Sequence, residues 1–91
     1  MTTLLIQHEV ADFTAWKSVF DGDQDNRRTH GATGHRVIRD GNLITALVDF
    51  PDAATAEAFL EDPRLRDAMA HAGVAGAPSV KYNEEIESVS Y

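Results

Sequence analysis

Apolar and polar positions alternate over residues 3–10, and this is the pattern of a strand with one buried face. One face carries Leu4, Ile6, His8 and Val10. The other face carries Leu5, Gln7 and Glu9. Because the first set is the more apolar, we expect it to face the helices of the domain.

After residue 12 the apolar period changes to about 3.6, which predicts an amphipathic helix. Asp12 is a good N-cap because its carboxylate can accept hydrogen bonds from the free amides of the first turn. Phe13, Trp16 and Phe20 follow at i, i+3 and i+7 and form one aromatic stripe. We expect this helix to bend near Gly22, to continue through residues 24–28, and to end at the glycines that follow.

Later segments repeat the strand and helix patterns. Strand 2 is predicted near residues 35–39 and strand 3 at residues 43–50, joined by a type I′ hairpin at residues 40–41. Helix 2 is predicted in two pieces, residues 53–60 and 63–72, because Pro63 suits the first turn of a new helix. Strand 4 is predicted over residues 79–86.

The element order is therefore βαββαβ, which predicts an α+β, ferredoxin-like domain spanning residues 1–91. Such a domain has a four-stranded antiparallel sheet with two helices on one face. The other face is left open, and it carries a mixture of apolar and polar side chains: Leu5, Gln7, Leu43, Thr45, Leu47, Lys81 and Asn83. Two such faces packed together would cover one another, so we predict a homodimer.

Composition narrows the classes of function. The formal charge of −7 argues against a nucleic acid partner, because phosphate binding needs a basic face. The absence of cysteine fits a cytoplasmic protein, and no stretch is long and apolar enough for a membrane span or a secretion signal. The histidines have no metal-ligand spacing and there is no nucleotide-binding loop, so we expect neither a metal nor a cofactor.

Several ionisable residues are predicted to meet on the helix-facing side of the sheet. His8 points towards the aromatic stripe, and Gln24 and Arg27 continue that stripe along the helix. Strand 4 lies beside strand 1 and brings Tyr82 to this face, and pairing of Val37 with Ile44 would place His35 there as well. The set of expected ligand-binding residues is Phe13, Trp16, Phe20, Gln24 and His35.

Chemical roles can be assigned to three of these residues. His8 can take a proton near neutral pH, while Arg27 or Tyr82 could stabilise an enolate or phenolate oxygen. The competing interpretation is that His8 is a hydrogen-bonded core residue, which is the commoner fate of a single histidine on an apolar face. Trp16 in turn fits a core position better than a catalytic one.

Residues in both halves of the chain resemble a known family. They are His8, Val10, Asp12, Phe13, Trp16, Lys17, Phe20, Asp21, Arg27, Gly31, Leu65, Arg66, Ala68, Met69, Ala72, Gly73, Val74, Gly76 and Pro78. The chain resembles small dimeric α+β-barrel proteins of the "cyclase" or antibiotic-biosynthesis-monooxygenase-like type. That resemblance implies the ferredoxin-like fold and the homodimer, but the superfamily includes monooxygenases, polyketide cyclases and haem degraders, so it does not choose the reaction.

Two classes of function remain open. In the first, the protein is a cofactor-independent monooxygenase or cyclase of aromatic or polyketide-type metabolism, and it acts on a flat, ionisable substrate between sheet and helices. In the second, it is a non-catalytic small-molecule binding or assembly module whose pocket is filled by its own side chains. Cavity volume separates them, because an open cavity of roughly 300 Å³ is needed for the first class.

Overall fold

A computed structural model of the protein describes residues 1–74 and 78–91, and residues 75–77 only as backbone of the last strand. The elements are β1 (Thr2–Val10), α1 (Phe13–Gly22), α2 (Gln24–Thr29), β2 (Gly34–Asp40), β3 (Leu43–Phe50), α3 (Ala53–Glu61), α4 (Pro63–His71) and β4 (Val74–Glu84). None of the helices in the described part of the chain has the length and apolarity that a membrane crossing requires.

The four strands form one antiparallel sheet in the order β2-β3-β1-β4. The central strands β1 and β3 bury alternate side chains beneath the helices, as the alternating sequence pattern predicts. The predicted α+β, ferredoxin-like fold is confirmed. Its core is built around fully buried side chains of those two strands and of α3: Leu4, Ile44, Val48, Phe50 and Phe59.

Local chemistry explains where the helices begin and break. The Asp12 carboxylate accepts hydrogen bonds from the amides of Thr14 and Ala15, at 2.9 and 3.3 Å, and so caps α1. The predicted bend is a break at Asp23 that separates α1 from α2. The second helical region is also in two pieces, because Asp62 caps α4 and Pro63 occupies its first turn.

The β2–β3 hairpin differs from the prediction by one residue. Asp40 pairs with Leu43, so the two central residues of the turn are Gly41 and Asn42. Only Gly41 has a positive φ, of 58°, and this excludes type I′, which needs positive φ at both positions. Val37 consequently pairs with Ala46 rather than with Ile44. A shift of two residues preserves the face, so His35 still faces the helices.

Strand β4 begins earlier than predicted, at Val74, and ends at Glu84. The prediction treated Pro78 as a residue of the preceding loop, but proline is tolerated in an edge strand and near a bulge because it need not donate to the ladder. The register between β1 and β4 shifts between Gln7 and Glu9. Ile86, predicted to belong to this strand, lies beyond it and is 96% exposed.

Candidate active site

His8 lies on β1, on the face that the helices cover, and only 6% of it is exposed. It occupies the position at which the pairing of β1 with β4 changes register. Such irregularities re-aim side chains and are common beside functional sites. The His8 ring lies 5.6 Å from the ring of Trp16, so it is packed against the aromatic stripe of α1, as predicted.

The aromatic stripe forms one wall of the site. Trp16 stacks on Phe20 with ring centroids 4.9 Å apart, and the rings of Phe20 and His35 form a T-shaped pair with centroids 5.0 Å apart. Phe13 is 6.0 Å from Trp16 and lies beneath the Arg39 guanidinium. Because α1 holds three rings on one face, the wall is apolar.

Arg27 is the second ionisable residue of the site, and it is 3% exposed. Its Nη1 donates to the Phe20 carbonyl at 2.8 Å, and its guanidinium lies 3.7 Å above the Phe20 ring. Nε and Nη2 are buried without a hydrogen-bond partner among the described residues. These two nitrogens share one edge of the planar group, the edge that binds both oxygens of a carboxylate.

Both ring nitrogens of His8 are also buried without a partner among the described residues. Burial lowers the pKa of His8 below its ordinary value, so the imidazole is neutral at pH 7 and free to accept a proton. The catalytic role of His8 and the competing core role both stay predictions, which the variants proposed below distinguish. Unpartnered buried polar groups are costly and rare in folded proteins, and a ligand-binding or catalytic role is one accepted reason for them.

A cavity of about 50 Å³ lies between the sheet and the helices. His8, Trp16, Phe20 and Arg27 line it, together with apolar residues of α4 such as Met69. This volume is well below the roughly 300 Å³ expected for an open ligand pocket. Taken alone, the cavity has room for a small polar group but not for a polycyclic ring.

Two larger grooves adjoin the cavity. The α2–β2 groove, of about 330 Å³, shares Arg27 and Val48 with it and is lined by Gln24, Arg27, Arg28, Ala32, Thr33, Gly34, His35 and Val48. The β4 groove, of about 420 Å³, shares Ile6, Leu65 and Met69 with it and is lined by Ile6, Leu60, Leu65, Arg66, Met69, Pro78, Val80 and Tyr82. The cavity thus lies between a polar groove and a mainly apolar one.

The structure brings together some of the predicted site residues and separates others. His8, Trp16, Phe20 and Arg27 meet in the cavity, while Gln24 and His35 line only the α2–β2 groove. Tyr82 faces the helices as predicted, but it lies opposite Leu4, four residues along β1 from His8. At about 3.3 Å per residue this is roughly 13 Å, so Tyr82 is not beside His8. Phe13 supports Trp16 from outside the cavity.

Sequence reasoning did not identify Asp23, which lines the cavity at the break between α1 and α2. Burial raises the pKa of the Asp23 carboxyl, and the nearby Arg27 offsets this only in part. The break at residue 23 is the signal that could have identified it, because a helix break aims a side chain in a new direction. Among residues 1–74 and 78–91, no group of three or more His, Cys, Asp or Glu side chains is placed to hold a metal ion.

Comparisons with solved structures identify the architecture. The cofactor-independent oxygenase SnoaB of Streptomyces nogalater matches with a TM-score of 0.80 over 99% of this chain and 97% of its own, at 12% identity. The chain has the fold of the antibiotic biosynthesis monooxygenases. A Bordetella bronchiseptica protein assigned to that group matches with a TM-score of 0.81 over 94% of this chain and 97% of its own, also at 12% identity.

The same fold occurs in a Nitrosomonas europaea protein of unknown function, with a TM-score of 0.76 over 99% of this chain and 93% of its own, at 17% identity. No protein-family model matches the chain, and no curated protein matches it in sequence. At such low identities these likenesses establish the fold and leave the reaction to be argued from the site.

His8 should make the stability of the protein depend on pH. Its pKa is lowered in the folded state, so below its ordinary value of 6.5 the unfolded chain takes the proton first. Stability is therefore lost as the pH falls from 6.5 through the lowered pKa. We expect the melting temperature of a His8→Leu variant to fall less than that of the wild type between pH 7 and 5.

Thermal melts of both proteins at matched pH values measure this difference, with roughly 4–8 °C corresponding to 1 kcal/mol in a domain of this size. His35 and Asp23 titrate in both proteins, so their contributions cancel in the comparison. Parallel pH profiles would show that His8 is not protonated on unfolding in this range.

Proposed function

We propose that the protein is a small cofactor-independent enzyme that removes a proton from a flat, ionisable aromatic or polyketide-type substrate between the sheet and the helices. The observation that carries the proposal is that His8 and Arg27 line the same cavity. Both are more than nine-tenths buried, and both have hydrogen-bonding atoms without a partner among the described residues. A base and a cation in an apolar cavity are what carbanion or phenolate chemistry requires.

His8 is the proposed proton acceptor. It is neutral at pH 7 because burial lowers its pKa, and its ring lies against the apolar wall formed by Trp16. In an apolar site, a proton acceptor that starts neutral avoids the cost of burying a negatively charged base. Proton transfer to a positioned group of this kind typically accelerates a reaction by about 10²–10⁴-fold.

Arg27 is the proposed partner of the negative charge that proton removal creates. Its free Nε and Nη2 edge supplies two parallel N–H donors, and the low polarity around it strengthens their interaction with an oxyanion. Asp23 is the carboxylate whose charge acts most strongly on Arg27, but it does not accept a hydrogen bond from Nε or Nη2. These two donors therefore remain available to a bound oxyanion.

Two reactions are open to the anion that forms. In the monooxygenase reaction, a ring methylene gives a proton to His8, the carbanion adds O₂, and the peroxide takes the proton back. Loss of water from the hydroperoxide then leaves a carbonyl, so that CH₂ and O₂ give C=O and H₂O. In the cyclase reaction, the same carbanion attacks a carbonyl carbon of the substrate, and no O₂ is consumed.

The small volume of the central cavity favours a second candidate function. At about 50 Å³ the cavity does not hold a ring without movement of its walls, and this is the arrangement expected of a non-catalytic binding module. In that case the ligand would occupy one of the adjoining grooves and would not reach His8. Met69 lies between the cavity and the β4 groove, and its flexible side chain is suited to the movement that the enzymatic function needs.

Turnover of aromatic ketones with an acidic ring methylene, of which anthrone is the simplest, tests the proposal. The monooxygenase should consume O₂ and form a product with one more oxygen and two fewer hydrogens, in a chelator-treated sample with no added cofactor. A cyclase should give products from poly-β-ketone substrates with no O₂ uptake. Tight binding of such compounds without conversion under either condition would instead support the binding module.

The homodimer is part of the same proposal, because the open face of the sheet has apolar residues that no helix of this chain covers. Leu5, Leu43 and Leu47 are half-buried there, and Ile38 is exposed. We expect the wild type to elute in light-scattering experiments with twice the mass of the 10.0 kDa chain.

A Leu47→Glu variant should be monomeric, because a charge at the centre of an apolar interface is expensive to desolvate. The matched control is Ala58→Glu, which adds the same charge on the exposed side of α3. A monomeric wild type at micromolar concentration, or equal masses for the two variants, would contradict the proposed interface.

A further inference from the structure

We propose that the ligand is an amphiphilic anion with a carboxylate at one end of a flat ring and an apolar extension at the other, bound in one orientation. The carboxylate lies at the α2–β2 groove and the apolar extension lies in the β4 groove. This inference rests on the location of the proposed site, but it does not depend on the reaction. It follows from the different polarity of the two grooves that adjoin the central cavity.

The α2–β2 groove provides the features of an anion site. Arg27 lies at its boundary with the cavity and has a free carboxylate-binding edge. Arg28 and His35 line the same groove, and both are exposed. A carboxylate at this boundary would satisfy Nε and Nη2 of Arg27 together, after a small movement that uncovers them.

The charged side chains that line this groove are both cationic, Arg27 and Arg28, although the whole chain carries −7. Asp25 lies 3.6 Å from Arg28, but both side chains are exposed and the pair is weak. Asp21 pairs with Lys17. Asp23 acts as a counter-charge to Arg27, but it lines the central cavity and not this groove. The unmet demand in this region is for hydrogen-bond acceptors at Nε and Nη2 of Arg27, and a carboxylate supplies two acceptors together.

The β4 groove has the opposite character. Most of its lining is aliphatic or aromatic, and Val80 and Tyr82 are 37% and 48% exposed. Arg66 is the charged residue in the lining of this groove. Exposed apolar side chains beside a groove of this size gain free energy when an apolar ligand covers them.

One ligand can occupy both regions when the side chains that divide the three spaces move, because each dividing wall is only a few side chains thick. Arg27 and Val48 separate the α2–β2 groove from the cavity, and Leu65 and Met69 separate the cavity from the β4 groove. A ring that lies between these boundaries contacts the wall of Trp16 and Phe20 and approaches His8. The order of groups along the ligand is then fixed as carboxylate, ring and apolar chain.

Isothermal titration calorimetry with substituted benzoates tests this order without any turnover. The probe is para-hexylbenzoate, whose charged and apolar groups are at opposite ends of the ring. We expect it to bind at least about ten-fold more tightly than the neutral para-hexylbenzamide, because a charge-assisted pair is lost in the amide. We expect para-hexylbenzoate to bind more tightly than ortho-hexylbenzoate by a similar factor, because the carboxylate and the hexyl chain of the ortho isomer lie at the same end of the ring.

One variant in each groove, each with a matched control, tests the two ends of the ligand separately. Arg28→Gln should reduce the preference for acid over amide by about three-fold, as expected for an exposed charge, while the control Arg39→Gln should not. Arg39 carries the same charge but packs on Phe13, outside all three spaces. Val80→Glu should remove most of the affinity that the hexyl chain adds to benzoate, while the control Ala58→Glu should leave it unchanged.

Equal affinity for the acid and the amide, or for the para and ortho isomers, would overturn the inference. A loss of acid preference in Arg66→Gln but not in Arg28→Gln would also overturn it, because the anion would then lie in the β4 groove. Failure of all three probes to bind at millimolar concentration counts against it as well. Absence of turnover in a protein that shows the expected preferences would reject the proposed enzyme and leave this binding mode intact.

Discussion

A His8→Asn variant is expected to lose about 10²–10⁴-fold in turnover while remaining folded and dimeric. The magnitude is that of a positioned general base, and asparagine keeps a neutral hydrogen-bonding side chain but cannot titrate near pH 7. Turnover and melting temperature should be measured on the same samples. The control is His71→Asn, because His71 is an exposed residue on α4 whose ring contacts the Asp67 carbonyl, far from this chemistry.

We expect no large loss of stability to accompany that loss of turnover, because neither ring nitrogen of His8 has a partner among the described residues to leave unsatisfied. A core histidine would behave differently, with stability falling by roughly 1–3 kcal/mol and activity following the folded fraction. Full activity in a stably folded His8→Asn protein would exclude His8 as the base. Asp23 would then be the next candidate, since it lines the same cavity and Tyr82 does not.

The second large effect is expected at Arg27. An Arg27→Met variant should lose about 10²–10³-fold in turnover, as when an oxyanion-stabilising donor is removed, and its affinity for para-hexylbenzoate should fall as well. Its melting temperature should be equal to or higher than that of the wild type. Methionine fills a similar volume, and it removes a buried cation whose free edge costs stability when it is unpartnered.

One hydrogen bond is lost in this variant, but its acceptor remains satisfied. The Phe20 carbonyl accepts from Arg27 and also from the Asp23 amide, at 3.2 Å, and the second bond does not depend on residue 27. Arg27→Lys should not restore binding, because an ammonium group lacks the planar pair of donors. A clear drop in the melting temperature of Arg27→Met together with unchanged binding of the acid would show that Arg27 is structural.

The sequence alone determined the fold, because its signals are local and agree with one another. Alternation in β1 and β3, the cap at Asp12 and the proline at residue 63 each specify one element, and their order allows few topologies. Strand parity was also sufficient to place His8, His35 and Tyr82 on the helix-facing side of the sheet. Side chains return to the same face every two residues along a strand. The two-residue error in the predicted register of β2 therefore leaves each side chain on the correct face.

The composition of the site was decided by tertiary structure, because parity gives the face of a residue and not its distance along the strand. Tyr82 shares a face with His8, yet the register of β4 places it opposite Leu4 and in another groove. Tertiary structure also decided which buried polar atoms have hydrogen-bond partners. No pattern in the sequence indicates that His8 and Arg27 are buried with polar atoms unpartnered among the described residues, since that depends on how α1, α2 and the sheet pack around them.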